Sequence, residues 1–130
     1  MSTIKTNTIT GTTSAGSIVV TGEGGSTTTN LQQGLAKVWG VLTNAAALTN
    51  SFNIASGTDN GTGDYSYTLT SAFSDANHAT TAITSGAGAG RMCTSNTARK
   101  AAGTIAVEIE THSGSAEDLA QEVSTHGDLA

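Results

Sequence analysis

The sequence predicts an all-β protein: a small antiparallel β-sandwich of about seven strands, preceded by an extended Thr/Ser/Gly-rich N-terminal arm. Three observations carry this prediction. Over residues 51–80, SFNIASGTDNGTGDYSYTLTSAFSDANHAT, first Phe52 and Ile54 and then Tyr65, Tyr67 and Leu69 alternate with small or polar residues. A period of two puts each set on one face of a strand. Between the two sets stands Asp59-Asn60-Gly61, a strong hairpin signal because Asn-Gly tolerates the positive φ angles of tight turns. Finally, GTIAVEIETH at 103–112 sends Ile105, Val107 and Ile109 one way and Ala106, Glu108 and Glu110 the other. That is the pattern of a strand with one wet face.

The bulk numbers narrow the function classes. A chain of 130 residues holds one folded domain comfortably and two with difficulty. Its net charge is −5, and five Lys plus Arg cannot build the basic patch of a nucleic-acid binder. The same balance argues against an anionic membrane surface. No apolar run approaches the roughly 20 residues that cross a bilayer, so no membrane insertion is expected. MSTIKTNTIT lacks the apolar stretch of a secretory signal. The single Cys93 excludes an intrachain disulfide and suits a reducing compartment. Aromatics make up 4% of the chain and proline is absent. Large rings carry much of the buried area in most cores, so this composition points to a thin, Thr-rich β protein that neighbouring copies help to complete.

The chain reads as two parts, an arm at 1–30 and a module at 31–130. The arm's apolar residues are Ile4, Ile9, Ala15, Ile18, Val19 and Val20. TSAG at 13–16 separates two extended pieces, and GEGGSTTTN at 22–30 reads as a linker. Such a segment buries too little surface to fold alone: either a sister chain or a larger surface holds it, or it is a floppy tail, and the Ile and Val positions favour the first. In LQQGLAKVWGVLTNAAA, at 31–47, Leu31, Leu35, Val38, Trp39 and Leu42 recur at helical spacing, but Gly34 and Gly40 weaken a helix. The reading is a short helical turn over 31–36, then a strand through Trp39. Trp39, Phe52 and Ile54 are the expected core anchors, since Trp39 is the one large ring available to brace a sandwich. The competing role for Trp39, with Tyr65 and Tyr67, is a sugar-binding platform. HATTAIT at 78–84 and RMCTSNT at 91–97 read as strands, with a flexible SGAGAG loop at 85–90 between them. Residues 114–127 form either a helical turn at EDLAQEV or a loop that ends as the last strand.

Catalytic and metal chemistry are not written in the chain. There is no nucleophile elbow and no phosphate-binding loop, and GAGAG lacks the third glycine of a dinucleotide fingerprint. His78, His112 and His126 have no local partner at metal-ligand spacing and read as exposed loop or strand residues. On a threefold axis one of them per chain would form a ring able to hold a metal. Asp59, Asn60 and Asp64 superficially resemble a calcium loop, but the closing bidentate Glu is missing. They are better read, with Gly61, as the hairpin turn. Cys93 reads as a small buried hydrophobe. No catalytic residue, cofactor or metal is therefore expected, and the protein is not expected to be an enzyme.

Several motifs carry a resemblance that covers most of the chain. STIKTNTITGTTSAGSIVVTGEG resembles the N-terminal arm of bacteriophage virion and tail-fibre proteins. GLAKVW, at 34–39, resembles the G-L-A-K-A-W start of their globular module. SFNIASGTDNGTGDYSYTLT resembles their D-S-F-N-x-S-S-x-T-D-N-G-T-G-D-Y-T stretch, the most specific element. Where relatives read M-P-D-A-N-Y this chain reads FSDANH, with no proline and with His78 in place of the usual Tyr. The resemblance implies a virion structural protein, usually a homotrimer: a short surface fibre, a knob or a capsid decoration. It would be assembled in the host bacterial cytoplasm and displayed on the virion surface. Its arm, through Ile4, Ile9, Ile18 and Val20, would attach to a phage capsid or tail protein or to sister chains. The alternative is a receptor-binding tail-fibre tip or carbohydrate-binding module that mediates host adhesion through a surface glycan.

Overall fold

The computed structural model describes residues 3–12, 18–22, 24–32, 34–85 and 90–130. The chain divides into two compact units, Met1–Leu35 and Ala36–Ala130. Among the described residues there are ten strands and no helix.

In the first unit, β1 (Val19–Thr21) pairs antiparallel with β2 (Thr28–Asn30), setting Val20 opposite Thr29. Gly22 N–H donates to Thr27 C=O at 2.8 Å and Gly25 N–H to Gly22 C=O at 2.9 Å, closing the connection. The described residues of the segment, 22 and 24–30, are turn and strand rather than linker, because Thr28 and Thr29 are β-branched and find a partner in Val19–Thr21. The expected turn at 13–16 and most of the expected loop at 85–90 lie outside the described residues. No helix forms over 31–36 among the described residues. Gly34 N–H reaches Asn30 C=O at 3.2 Å and Leu35 N–H reaches Gln32 C=O at 3.3 Å, a bend that goes no further.

The second unit holds β3 (Val38–Leu42), β4 (Leu48–Phe52), β5 (Ile54–Gly61), β6 (Asp64–Leu69), β7 (Ala79–Ser85), β8 (Arg91–Ser95), β9 (Thr104–Thr111) and β10 (Ala120–His126). They form two four-stranded antiparallel sheets, β4-β3-β10-β7 and β5-β6-β9-β8. The core lies between them. The first sheet contributes Val38, Leu42 and Val123, and the second Ile54, Tyr65, Tyr67, Ile105, Val107 and Ile109. Ambiguous 114–127 resolves as loop followed by the final strand.

The sandwich has eight strands because a stretch expected to be one strand is two. Asn53 sits at φ +62° between β4 and β5, and the chain changes sheet there. Asparagine tolerates this left-handed conformation better than most residues. Its side chain then fixes the corner: Nδ2 donates to Lys37 C=O (3.2 Å) and Ser71 C=O (3.0 Å), and Oδ1 accepts from Ser71 N–H (2.7 Å). Phe52 and Ile54 therefore do not share a face. Ile54 is 7% exposed in the core, whereas Phe52 is 54% exposed on the outside of the first sheet.

The hairpin between β5 and β6 also differs from expectation. Its two-residue loop is Thr62-Gly63, with Gly61 opposite Asp64, and Asp59-Asn60-Gly61 is the irregular end of β5. Asp59 Oδ1 accepts from Gly61 N–H at 3.0 Å and Asn60 Nδ2 donates to Ser66 Oγ at 3.0 Å. Both glycines take positive φ, +139° at Gly61 and +72° at Gly63. The β-strand can end in Asn-Gly because the pairing slips between Asp59 and Gly61.

Trp39 is a further correction. It is 39% exposed, so the expected anchor is outside the core. Tyr65, Tyr67 and Phe73, none more than 2% exposed, fill the interior instead. Each phenol finds an acceptor, as buried Tyr requires. Tyr65 donates to Asn44 C=O (2.9 Å) and Asp118 Oδ1 (3.1 Å), and Tyr67 to Gln121 Oε1. Burial pushes both phenols above their ordinary range, and at Tyr65 the Asp118 carboxylate adds to it.

His78 is buried rather than exposed, at 3%. Its ring stacks on Phe73 with centroids 4.6 Å apart, and Nε2 donates to Ala101 C=O at 3.2 Å. Nδ1 is buried without a partner, and Lys100 Nζ donates to the His78 carbonyl. Burial holds the imidazole below its usual pKa, opposed by the Ala101 bond and reinforced by the nearby Lys100 charge. The unfolded chain therefore takes up a proton at a higher pH than the folded one, and stability falls as pH drops below about 6.5. The melting temperature is expected to decline between about pH 7 and pH 5, and His78→Phe should flatten that slope. Thermal unfolding followed by circular dichroism across this range checks it; an unchanged slope in the variant would show that His78 does not contribute.

Candidate functional site

The outer face of the first sheet is where this module presents unsatisfied chemistry. In β3 the parity is Val38, Gly40 and Leu42 inward, Trp39 and Val41 outward. Gly40 sets that parity: a Cβ there would lie 2.6 Å from Ile54 Cδ1, so only glycine lets the strand approach the core this closely. Register then builds two rows across the sheet. Phe52, Trp39, Ser124 and Thr81 stand side by side, and next to them Asn50, Val41, Glu122 and Ile83.

Trp39, Val41, Phe52 and Ile83 are between 36% and 55% exposed. A groove of about 310 Å³ runs over β10, walled by Trp39 and Val41 on one side and Thr81 and Ile83 on the other. Glu122 and Ser124 project from its floor. Among the described residues, no side chain or backbone group hydrogen-bonds or ion-pairs with the Glu122 carboxylate. Register thus gathers four large, exposed apolar side chains on one face of the module. Aliphatic and indole walls with one carboxylate and two hydroxyls suit reversible binding of an apolar, hydrogen-bonding or cationic group.

The second sheet differs. Asp64 and Glu108 pair across β6 and β9, but Asn96 Nδ2 donates to both, at 3.2 and 3.0 Å. Arg99 Nε adds an ion pair to Asp64 at 2.8 Å. These carboxylates brace the 96–99 turn, and Asp64 is occupied there rather than in a calcium loop.

No family model, no curated protein and no solved structure matches this chain.

The remaining predicted residues fall in different places. Ile4 and Ile9 are 86% and 60% exposed, and Val20 is 50% exposed on β1. Ile18 is half-buried, its carbonyl accepting from Leu31 N–H at 2.9 Å. Nothing brings the hairpin residues 59–64 together with the outer face of the first sheet; they lie on β5 and β6 of the other one. Cys93 is partly buried against the core, and burial raises its thiol pKa. Among the described residues no three His, Cys, Asp or Glu side chains converge as metal ligands.

Sequence reading missed Val41, Ile83 and Glu122. The available signal was alternation in KVWGVL, where both faces are apolar. One face had to be the core and the other had to be exposed, but only the bulk of Ile54 above Gly40 decides which.

Proposed function

We propose that this chain is a structural protein of a phage virion, a short surface fibre, knob or capsid decoration that projects a β-sandwich from an arm. The observation that carries this reading is the contrast between the two units. The module closes its own core over Tyr65, Tyr67 and Ile105, whereas the arm offers Ile4, Ile9, Val19 and Val20 to solvent. A self-sufficient module joined to a Thr/Ser/Gly-rich arm whose described isoleucines and valines are exposed suits an attached appendage, and the resemblance of both parts to phage fibre proteins supports it. The partners of the arm are a capsid or tail protein and sister chains in a homotrimer. The place of the protein is the virion surface, reached after assembly in the host cytoplasm.

Deleting residues 1–35 is expected to abolish copurification with particles while leaving the melting transition of the module in place. Truncated protein that still sediments with particles would remove the arm as the anchor.

One observation favours a second reading, host adhesion through a surface glycan. Trp39 lies directly across from Phe52 on the solvent side of the first sheet. Aromatic faces suit the apolar faces of sugar rings, and Glu122, Ser124 and Thr81 offer hydrogen bonds beside them.

A further inference from the structure

The Trp39–Glu122 groove carries one charge and, among the described residues, no partner for it. Its apolar walls favour an aliphatic occupant, and the carboxylate favours a cation. An ammonium beside Glu122 and the Trp39 indole would gain both ion-pair and cation–π attraction. A neutral glycan would use the carboxylate as a hydrogen-bond acceptor but would bring no opposite charge to it. The same face of a second copy is a poorer occupant, because it supplies no cation and a twofold contact centred on the groove would bring two Glu122 carboxylates together.

This chain itself contains a matching segment. In the described arm residues 3–12, TIKTNTITGT, Lys5 is the only charged side chain, and Ile4 and Ile9 flank it at 86% and 60% exposure. Extended at about 3.3 Å per residue, residues 4–9 span roughly 17 Å, comparable with the five-residue β3 that walls the groove. The module carries the opposite charge excess: from residue 36 onward there are nine Asp plus Glu against four Lys plus Arg, a balance of −5.

We propose that the Trp39–Val41–Ile83–Glu122 groove is the docking site for the N-terminal segment of a second copy of this chain, with Lys5 paired to Glu122 and Ile9, four residues on and so on the same face of an extended segment, against the apolar walls. The contact is head-to-tail, so it closes into a ring where the rotation allows. The inference deepens the homotrimer reading above and rests on it, naming the surfaces that would join the copies.

The test is a charge exchange on the full-length chain, read by sedimentation equilibrium and by the emission of Trp39, the chain's single tryptophan. The unaltered chain is expected to self-associate, with Trp39 emission shifting to the blue as it does so. Lys5→Glu and Glu122→Lys should each weaken association about tenfold, since like charges then face each other. The double variant should recover to within about threefold of the unaltered chain, because the opposite charges face each other again. Melting curves confirm that all three variants fold. A chain that stays monomeric, single variants that associate normally, or a double variant that fails to recover would each overturn the proposal. So would a monomer whose Trp39 is quenched saturably by a neutral oligosaccharide, which would favour the adhesion reading. A monomeric chain whose arm still anchors it to particles would overturn this docking while leaving the appendage reading standing.

Discussion

Gly63→Val is expected to destabilise the module by about 3 kcal/mol or more, combining a strained backbone with a steric clash. At φ +72° a β-branched residue is an outlier. A Cβ at this position would also stand 2.4 Å from Ile109 C=O and 3.1 Å from Glu117 N. Those are backbone atoms, and no rotamer change moves them away. Gly63 is held in place as well, its N–H donating to Asp118 Oδ1 at 2.7 Å and its carbonyl accepting from Ile109 N–H at 2.8 Å. Gly61→Val should cost only about 1 kcal/mol, because φ +139° is unfavourable for valine but no atom crowds the added carbon. Urea unfolding of the two variants beside the parent measures the order. A turn centred on Asn60-Gly61, as the sequence suggests, would reverse it, so a larger loss at Gly61 would remove the Thr62-Gly63 assignment.

That reversal shows how the sequence was and was not legible. TDNGTGDY contains two glycines two residues apart, and local turn chemistry favours the one that follows asparagine. Tertiary contact favours the other. Only at Gly63 do the Asp118 carboxylate and the β9 backbone approach the turn, and both partners are remote in sequence. Strands set by alternation alone were easier to read. Ile105, Val107 and Ile109 are at most 1% exposed, as their period of two requires. Ala106 on the opposite parity is buried too, beside the 96–99 turn, whose Asn96 and Arg99 side chains reach over that face to Glu108 and Asp64. Alternation cannot anticipate a loop that returns over a wet face.

The candidate face was less legible than the fold, for a related reason. A single tryptophan in a chain poor in aromatics looks like a core residue, because burying large rings is the usual way to stabilise a small sandwich. Here the two tyrosines and Phe73 occupy that space, and each tyrosine hydroxyl has an acceptor inside. With the interior filled, Trp39 takes the other parity of its strand. Glu122 gave no signal in sequence, because AQEVSTH is an ordinary amphipathic strand. Its significance appears only when register places it between Val41 and Ile83.

Asn53→Val is expected to cost about 3–5 kcal/mol, and it tests the feature that most separates this fold from its simplest sequence reading. The change removes the hydrogen bonds to Lys37 C=O, Ser71 C=O and Ser71 N–H, and forces a β-branched residue to φ +62°. Asn53→Gly keeps the backbone conformation and loses only the bonds, for which about 1–2 kcal/mol is expected. Denaturant unfolding should therefore rank valine well below glycine, and glycine below the parent. Equal losses would mean that backbone strain at the corner contributes nothing. A glycine variant as stable as the parent would mean that the lost bonds are replaced by water. There is also a reason beyond these contacts to expect valine to be worse. With valine at the corner, the stretch from Leu48 to Ile54 would favour one continuous strand, with Phe52 and Ile54 on the same face, as their spacing already suggests. Asparagine opposes that straight strand because its side chain stabilises the bend and its backbone tolerates it. The substitution would strain the corner and at the same time favour the competing register, in which Phe52 could not face solvent while Ile54 faces the core.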